Sequence, residues 1–154
     1  MDSARTSSVD LRRLLVTVLA ILALASCGEV PLEDVSSSAQ YSKLIGRSFK
    51  TKEDLLLIGV TTDNQRKRVD YFVLVTPPGF ANRWVVTKEQ LEKESVLRVV
   101  QVLKSTVPFI SRVEYVVEIR NDRTSRQAPI RVRQTGPADD GNYGLDERIF
   151  KKVE

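Results

Sequence analysis

Val113-Glu-Tyr-Val-Val-Glu-Ile119, followed after one polar loop by Ile130-Arg-Val-Arg-Gln134, is the stretch that decides the fold. In the first segment Val113, Tyr115, Val117 and Ile119 face one way, while Glu114, Val116 and Glu118 face the other. In the second, Ile130 and Val132 point inward and Arg131 and Arg133 outward. A period of two is the signature of a strand with one buried face. The intervening Asn121-Asp-Arg-Thr-Ser-Arg126 has the composition of a hairpin loop. Pairing the two strands sets Glu114 and Glu118 near Arg131 and Arg133. Each such cross-strand pair contributes roughly 0.2–1 kcal/mol.

Working outward, Val69-Asp-Tyr-Phe-Val-Leu-Val75 is nearly all apolar, and β-branched or aromatic. It reads as a strand buried on both faces, ended by the turn Pro77-Pro78-Gly79. Val96-Leu-Arg-Val-Val-Gln-Val-Leu103 is a further strand. Its polar residues Arg98 and Gln101 fall on opposite faces of a regular strand, and a β-bulge between them would return both to one side.

Helical signals are short. Thr87-Lys-Glu-Gln90 has the form of a capping box, with Val86 and Leu91 at the hydrophobic-staple positions. Thr51-Lys-Glu-Asp54 is a weaker start before Leu55–Ile58. Leu145, Ile149, Phe150 and Val153 fall on one helical face, with Asp146 and Glu147 opening that turn and Lys151 and Lys152 closing it. The expectation is a mainly β fold: a small barrel or curled antiparallel sheet with short helical inserts and a C-terminal helical turn. The stretch Leu91-Glu-Lys-Glu-Ser-Val-Leu-Arg-Val-Val-Gln-Val102 resembles strands in Src-homology-3-like barrels of bacterial envelope proteins, where a short polar turn precedes an apolar strand. An oligonucleotide/oligosaccharide-binding-type barrel is the nearest alternative.

Composition bounds the chemistry. The 154 residues contain no histidine and one cysteine, Cys27. No intrachain disulfide can form. The usual zinc, copper and haem ligand sets are excluded, as are Ser-His-Asp and Cys-His catalysis. No cofactor or metal is expected, and the chain does not read as an enzyme. A pair of carboxylates suffices for glycoside hydrolysis, but no motif places one. The net charge of +4 is far below a nucleic-acid binder's footprint.

The N-terminus carries the most specific signal. Residues 1–13 are polar and end in Arg12-Arg13, and residues 14–25 form an apolar run of 12. A bilayer span needs roughly 20 apolar residues, so this run is too short; a basic start, a short apolar run and small residues make a signal peptide. Leu24-Ala25-Ser26-Cys27-Gly28 resembles the lipobox of bacterial lipoproteins. The resemblance implies a thioether-linked diacylglycerol on Cys27 and cleavage between Ser26 and Cys27. Gly28, in place of aspartate, implies sorting to the outer membrane, facing the periplasm. Removing residues 1–26 leaves 128, enough for one domain. Residues 27–40, with Pro31 and a run of serines, read as the lipidated cysteine and a flexible tether, and residues 41–154 as a single β-rich domain.

Several clusters are candidate binding groups. Gln65-Arg66-Lys67-Arg68 is the densest basic run and would suit lipid phosphates or an anionic glycan; a solvated hairpin loop following the Asp63-Asn64 turn signal is the simpler reading. Arg123, Arg126, Arg131 and Arg133 form a second basic region, offset by Glu114 and Glu118. Asp139-Asp-Gly-Asn-Tyr-Gly-Leu-Asp146 is rich in oxygen ligands but fails the EF-hand spacing, so a glycine-rich turn is expected. Tyr71, Phe72, Phe80, Trp84 and Phe109 could floor a groove, although such residues at strand spacing are more often core. Phe80 and Trp84 lie in the loop-like Pro77–Trp84 segment, and loops carry binding residues. The functional expectation is a membrane-tethered, non-catalytic binding or assembly module with an envelope protein or an anionic glycan as partner. The alternative is an inhibitor or protective protein acting on an envelope hydrolase through loop 77–84.

Overall fold

The computed structural model describes residues 29–63, 65, 68–120, 126–137 and 143–153. Residues 31–154 cluster as one compact unit. Its strands are β1 (Leu32–Asp34), β2 (Ser48–Thr51), β3 (Leu55–Val60), β4 (Tyr71–Val75), β5 (Val85–Leu91), β6 (Val96–Ser105), β7 (Val113–Ile119), β8 (Ile130–Arg133) and β9 (Phe150–Val153). They form one sheet in the order β5-β3-β4-β8-β7-β6-β2-β9, with β1 on β6 beyond the stretch that β2 occupies.

The β7–β8 pairing is antiparallel, with Glu114 opposite Arg133 and Val117 opposite Ile130. The β6 bulge is present: the register with β7 shifts between Val99 and Gln101. The extra residue puts Val99 and Val102 both in the core and lets Gln101 turn outward, where its amide donates to Asp34 Oδ2 at 2.9 Å. The core joins Leu55, Leu57, Phe72, Leu74, Val99, Val102, Tyr115, Val117, Ile130 and Val132 from the sheet with Tyr41, Leu44, Leu145 and Phe150. Tyr115 is 1% exposed. Its hydroxyl bonds Gln134 Oε1 at 3.0 Å and the Tyr143 carbonyl. Burial raises its pKa, so it remains a neutral donor.

Five expectations are corrected. The sheet is neither closed nor wholly antiparallel. The first and last strands of the order do not pair with each other, and β4 runs parallel to β8, Phe72 opposite Ile130. Thr87–Gln90 is not a helix start but the middle of β5, held along β3 by the register Gly59 opposite Thr87 to Leu56 opposite Gln90. Pairing along a strand overrides a local capping preference. Gln90 reaches across to Asp54 Oδ2 at 3.2 Å rather than back to Thr87. Thr51–Asp54 likewise ends β2 and turns into β3. Its capping groups serve the β5–β6 turn instead of a helix: Asp54 Oδ1 accepts from Lys93 N at 2.7 Å, and Thr51 Oγ1 accepts from Ser95 N at 3.1 Å.

At the C-terminus one turn does form, with Ile149 N and Phe150 N both donating to the Asp146 carbonyl. The chain then extends as β9 along β2, Thr51 opposite Phe150. So few residues cannot sustain a helix alone, and the open edge of β2 satisfies their backbone. Finally, the segment expected as a tether to residue 40 is folded from Pro31. β1 pairs Leu32 with Ser105 and Asp34 with Leu103, and Val35 N donates to Val102 O at 2.9 Å. Val35 packs against the core, which Pro31 and the serines obscured at the level of composition. Among the described residues the only helix is the single 3-10 turn Ser42–Leu44, and no helix is long and apolar enough to cross a membrane.

Candidate binding cleft

The parallel pairing of β4 and β8 has a geometric result. Two parallel neighbours begin at the same end of the sheet, so the segments leading into them arrive together. These segments are 68–70 and 126–129, and each comes from one of the two basic regions seen in the sequence. Phe72 N donates to Pro129 O at 2.8 Å and ties them.

Between them lies a cleft of about 430 Å³ lined by Arg68, Asp70, Phe72, Glu89, Arg126 and Gln127, among others. Glu89 projects from β5 on the same face as Phe72. Arg126 Nη2 donates to Glu89 Oε2 at 2.6 Å, and its guanidinium lies 5.7 Å from the Phe72 ring centre. Asp70 Oδ2 accepts from Thr62 N at 2.6 Å and Thr62 Oγ1 at 2.7 Å. Those two bonds, with help from Arg68, hold its carboxyl below the usual range. The cleft thus offers an aromatic wall, an ordered guanidinium, a fixed carboxylate and the exposed Arg68. Donors and acceptors around an apolar patch suit a small polar ligand bearing hydroxyl or acidic groups.

The sequence-stated site residues separate as follows. Arg68 lines the cleft, while Arg66 and Lys67 lie outside the described residues, as do Ser26 and Cys27. Phe80 and Trp84 do not reach it; both are half-buried in the segment that carries the chain from β4 over β3 to β5. That segment packs closely. Gly79 has φ +68°, and a Cβ there would meet Ile58 Cδ1 at 3.0 Å and Leu56 Cδ1 at 3.1 Å. Arg83 stacks on the Trp84 ring at 4.7 Å, and Trp84 O accepts from Thr61 N at 2.9 Å. Residues 139–142 of the oxygen-rich run lie outside the described residues; Asp146 accepts from Arg148 Nη2 at 2.7 Å. Among the described residues no group of three or more potential metal-ligating side chains converges.

The second basic region divides between two places. Arg126 enters the cleft. Arg131 sits on the other face, 4.0 Å over the Tyr71 ring and 3.6 Å from Glu114 Oε2. Glu114 Oε1 also accepts from Arg112 Nε at 2.8 Å and Nη2 at 2.6 Å. The expected Glu114–Arg131 pair therefore exists as a diagonal contact, and Arg112 joins it. Sequence reasoning missed Glu89 as a cleft residue, because it stood inside the apparent capping box. No local signal could have found it; only the β3–β5 register places it beside Phe72. Compared with known protein families, curated proteins and solved structures, the chain matches none of them.

Proposed function

We propose that this protein is a lipid-anchored lipoprotein of the bacterial cell envelope, held at the outer membrane and facing the periplasm, that acts as a non-catalytic binding module. The observation that carries the reading is the order of features along the chain. A basic start, a short apolar run and Leu24-Ala25-Ser26-Cys27 stand immediately before the compact unit, which opens at Pro31. The acylated cysteine would then join bilayer to fold by a short link, with three residues between Cys27 and Pro31. The ligand face is the cleft of Arg68, Phe72, Glu89 and Arg126, whose mix of charge and aromatic surface fits an anionic glycan or an acidic segment of an envelope protein.

Cys27→Ala tests the anchor. The variant should lose its lipid by intact mass and leave the membrane fraction, and globomycin should make the wild-type precursor accumulate uncut, because it blocks the dedicated lipoprotein peptidase. Ordinary processing in its presence would refute the assignment.

A further inference from the structure

Among the described residues the most exposed apolar feature is the turn between β6 and β7, Thr106-Val-Pro-Phe-Ile-Ser-Arg112. Phe109 is 107% exposed and Ile110 is 43% exposed. Phe109 also has φ +67°. That left-handed region is uncommon for a bulky residue and costless for glycine. The turn thus carries its largest apolar side chain where neither water nor the backbone favours it. Its foot is fixed: Ser105 N donates to Arg112 O at 2.9 Å, and Val107 N to Ser105 Oγ at 3.1 Å.

The position of the chain's entry supplies the occupant. Thr106 donates to the Pro31 carbonyl through its N–H at 3.1 Å and its hydroxyl at 3.3 Å. The first residue of the compact unit therefore stands at the foot of this turn. Pro31 is four residues from Cys27, and four residues of extended chain reach at most about 14 Å. A lipid on Cys27 keeps Pro31, and with it Thr106 at the foot of the turn, near the bilayer surface. The charges around it nearly balance, Lys104, Arg112 and Arg133 against Glu33 and Glu114, so apolar contact outweighs charge.

We infer that Val107–Ile110 is a membrane-seating tip whose Phe109 and Ile110 side chains enter the headgroup–acyl boundary of the leaflet that holds the lipid on Cys27. The inference rests on the lipoprotein reading. One ring and one aliphatic side chain bind a bilayer weakly, but the anchor makes their insertion intramolecular. The seat also sets orientation. β7 leads from the tip at Val113 toward the end of the sheet where β8 begins, Val117 lying opposite Ile130. The cleft consequently faces away from the membrane.

Spin labelling tests this. Acylation consumes the one native thiol, so Phe109→Cys and Gln127→Cys each offer a unique labelling site; both residues are exposed. The lipidated proteins are placed in phosphatidylethanolamine–phosphatidylglycerol vesicles, and label collisions with oxygen and with a water-soluble nickel complex are measured. The expected result is several-fold greater oxygen-to-nickel preference at 109 than at 127, unchanged by added salt. Free nickel access at 109 overturns the inference, and so does shielding from both reagents, which would mean a protein neighbour. Intact mass reports the anchor separately. An unmodified Cys27 overturns the lipoprotein reading and the seated tip with it, whereas nickel access at 109 on a chain shown to be lipidated overturns the tip alone.

Discussion

Replacing Gly144 by alanine should unfold this protein far more readily than the same change at Gly136. Gly144 has φ +70°, and a Cβ there would lie 2.4 Å from Gln134 Cγ and 2.5 Å from the Gly136 carbonyl oxygen. Its own carbonyl accepts from Thr135 N, Gly136 N and Thr135 Oγ1, so the two segments are laced together where the methyl must fit. The left-handed backbone costs a non-glycine residue about 1–2 kcal/mol. Relieving the overlap by shifting backbone costs about 1–3 kcal/mol more. The sum, roughly 2–5 kcal/mol, corresponds to a fall in Tm on the order of 10–20 °C for a unit of this size. At Gly136 a Cβ meets nothing within 4 Å, so Gly136→Ala should leave Tm almost unchanged. Thermal denaturation followed by circular dichroism at 218 nm, on wild type and both variants, measures the difference. Gly144→Ala within about 1 kcal/mol of Gly136→Ala would refute the packing argument.

Tyr115→Phe removes the hydroxyl that joins Gln134 and the Tyr143 carbonyl; urea titration should show a loss of about 1–3 kcal/mol, and a neutral result would mean that the tie carries no stability. Asp146 should titrate near 2 rather than 3.8, because Arg148 bonds its carboxylate through side chain and backbone. With the folded value depressed, its contribution to stability is complete above the unfolded value and is lost as the pH falls from about 4 through about 2. Carboxyl NMR should show Arg148→Ala raising the value toward 3.8, short of it because the residue 148 N–H still bonds Oδ1. In affinity capture from envelope extract, Arg68→Ala should weaken the retained partner while Trp84→Ala, if it folds, should keep it; the reverse outcome would transfer the binding face to loop 77–84.

Strand existence was readable where burial is one-sided. Ile130–Arg133 alternates with Ile130 and Val132 in the core, Val113–Ile119 alternates in sequence although Glu114 and Val116 are buried as well, and the spacing of Arg98 and Gln101 left room for the β6 bulge that forms. Misreading came where a polar group serves a distant partner. Thr51, Asp54 and Gln90 look like helix caps and do satisfy free backbone or side-chain groups, but between the β2–β3 connection and the β5–β6 turn, some forty residues apart in sequence. The cleft was half-visible. Both basic regions could be named, yet their meeting depends on β4 lying parallel to β8, a long-range pairing that no local pattern encodes. Phe109 was grouped with aromatic residues of the core and is the most exposed of them, because sequence shows a residue's affinity for burial and not whether the fold provides it.

An open sheet has a cost in solution that a closed barrel escapes. Its terminal strands present unpaired N–H and C=O groups, which can template the addition of a strand from another chain and so start aggregation. Here the two terminal strands are β5 and β9. β9 is only four residues long and carries Lys151 and Lys152, both exposed, while β5 carries exposed Lys88. A copy approaching either edge in register would bring lysines against lysines without neutralising them. Short length and repelling charge let this sheet stay unclosed at high local concentration, and replacing Lys151 and Lys152 with threonine would remove that protection without touching the core.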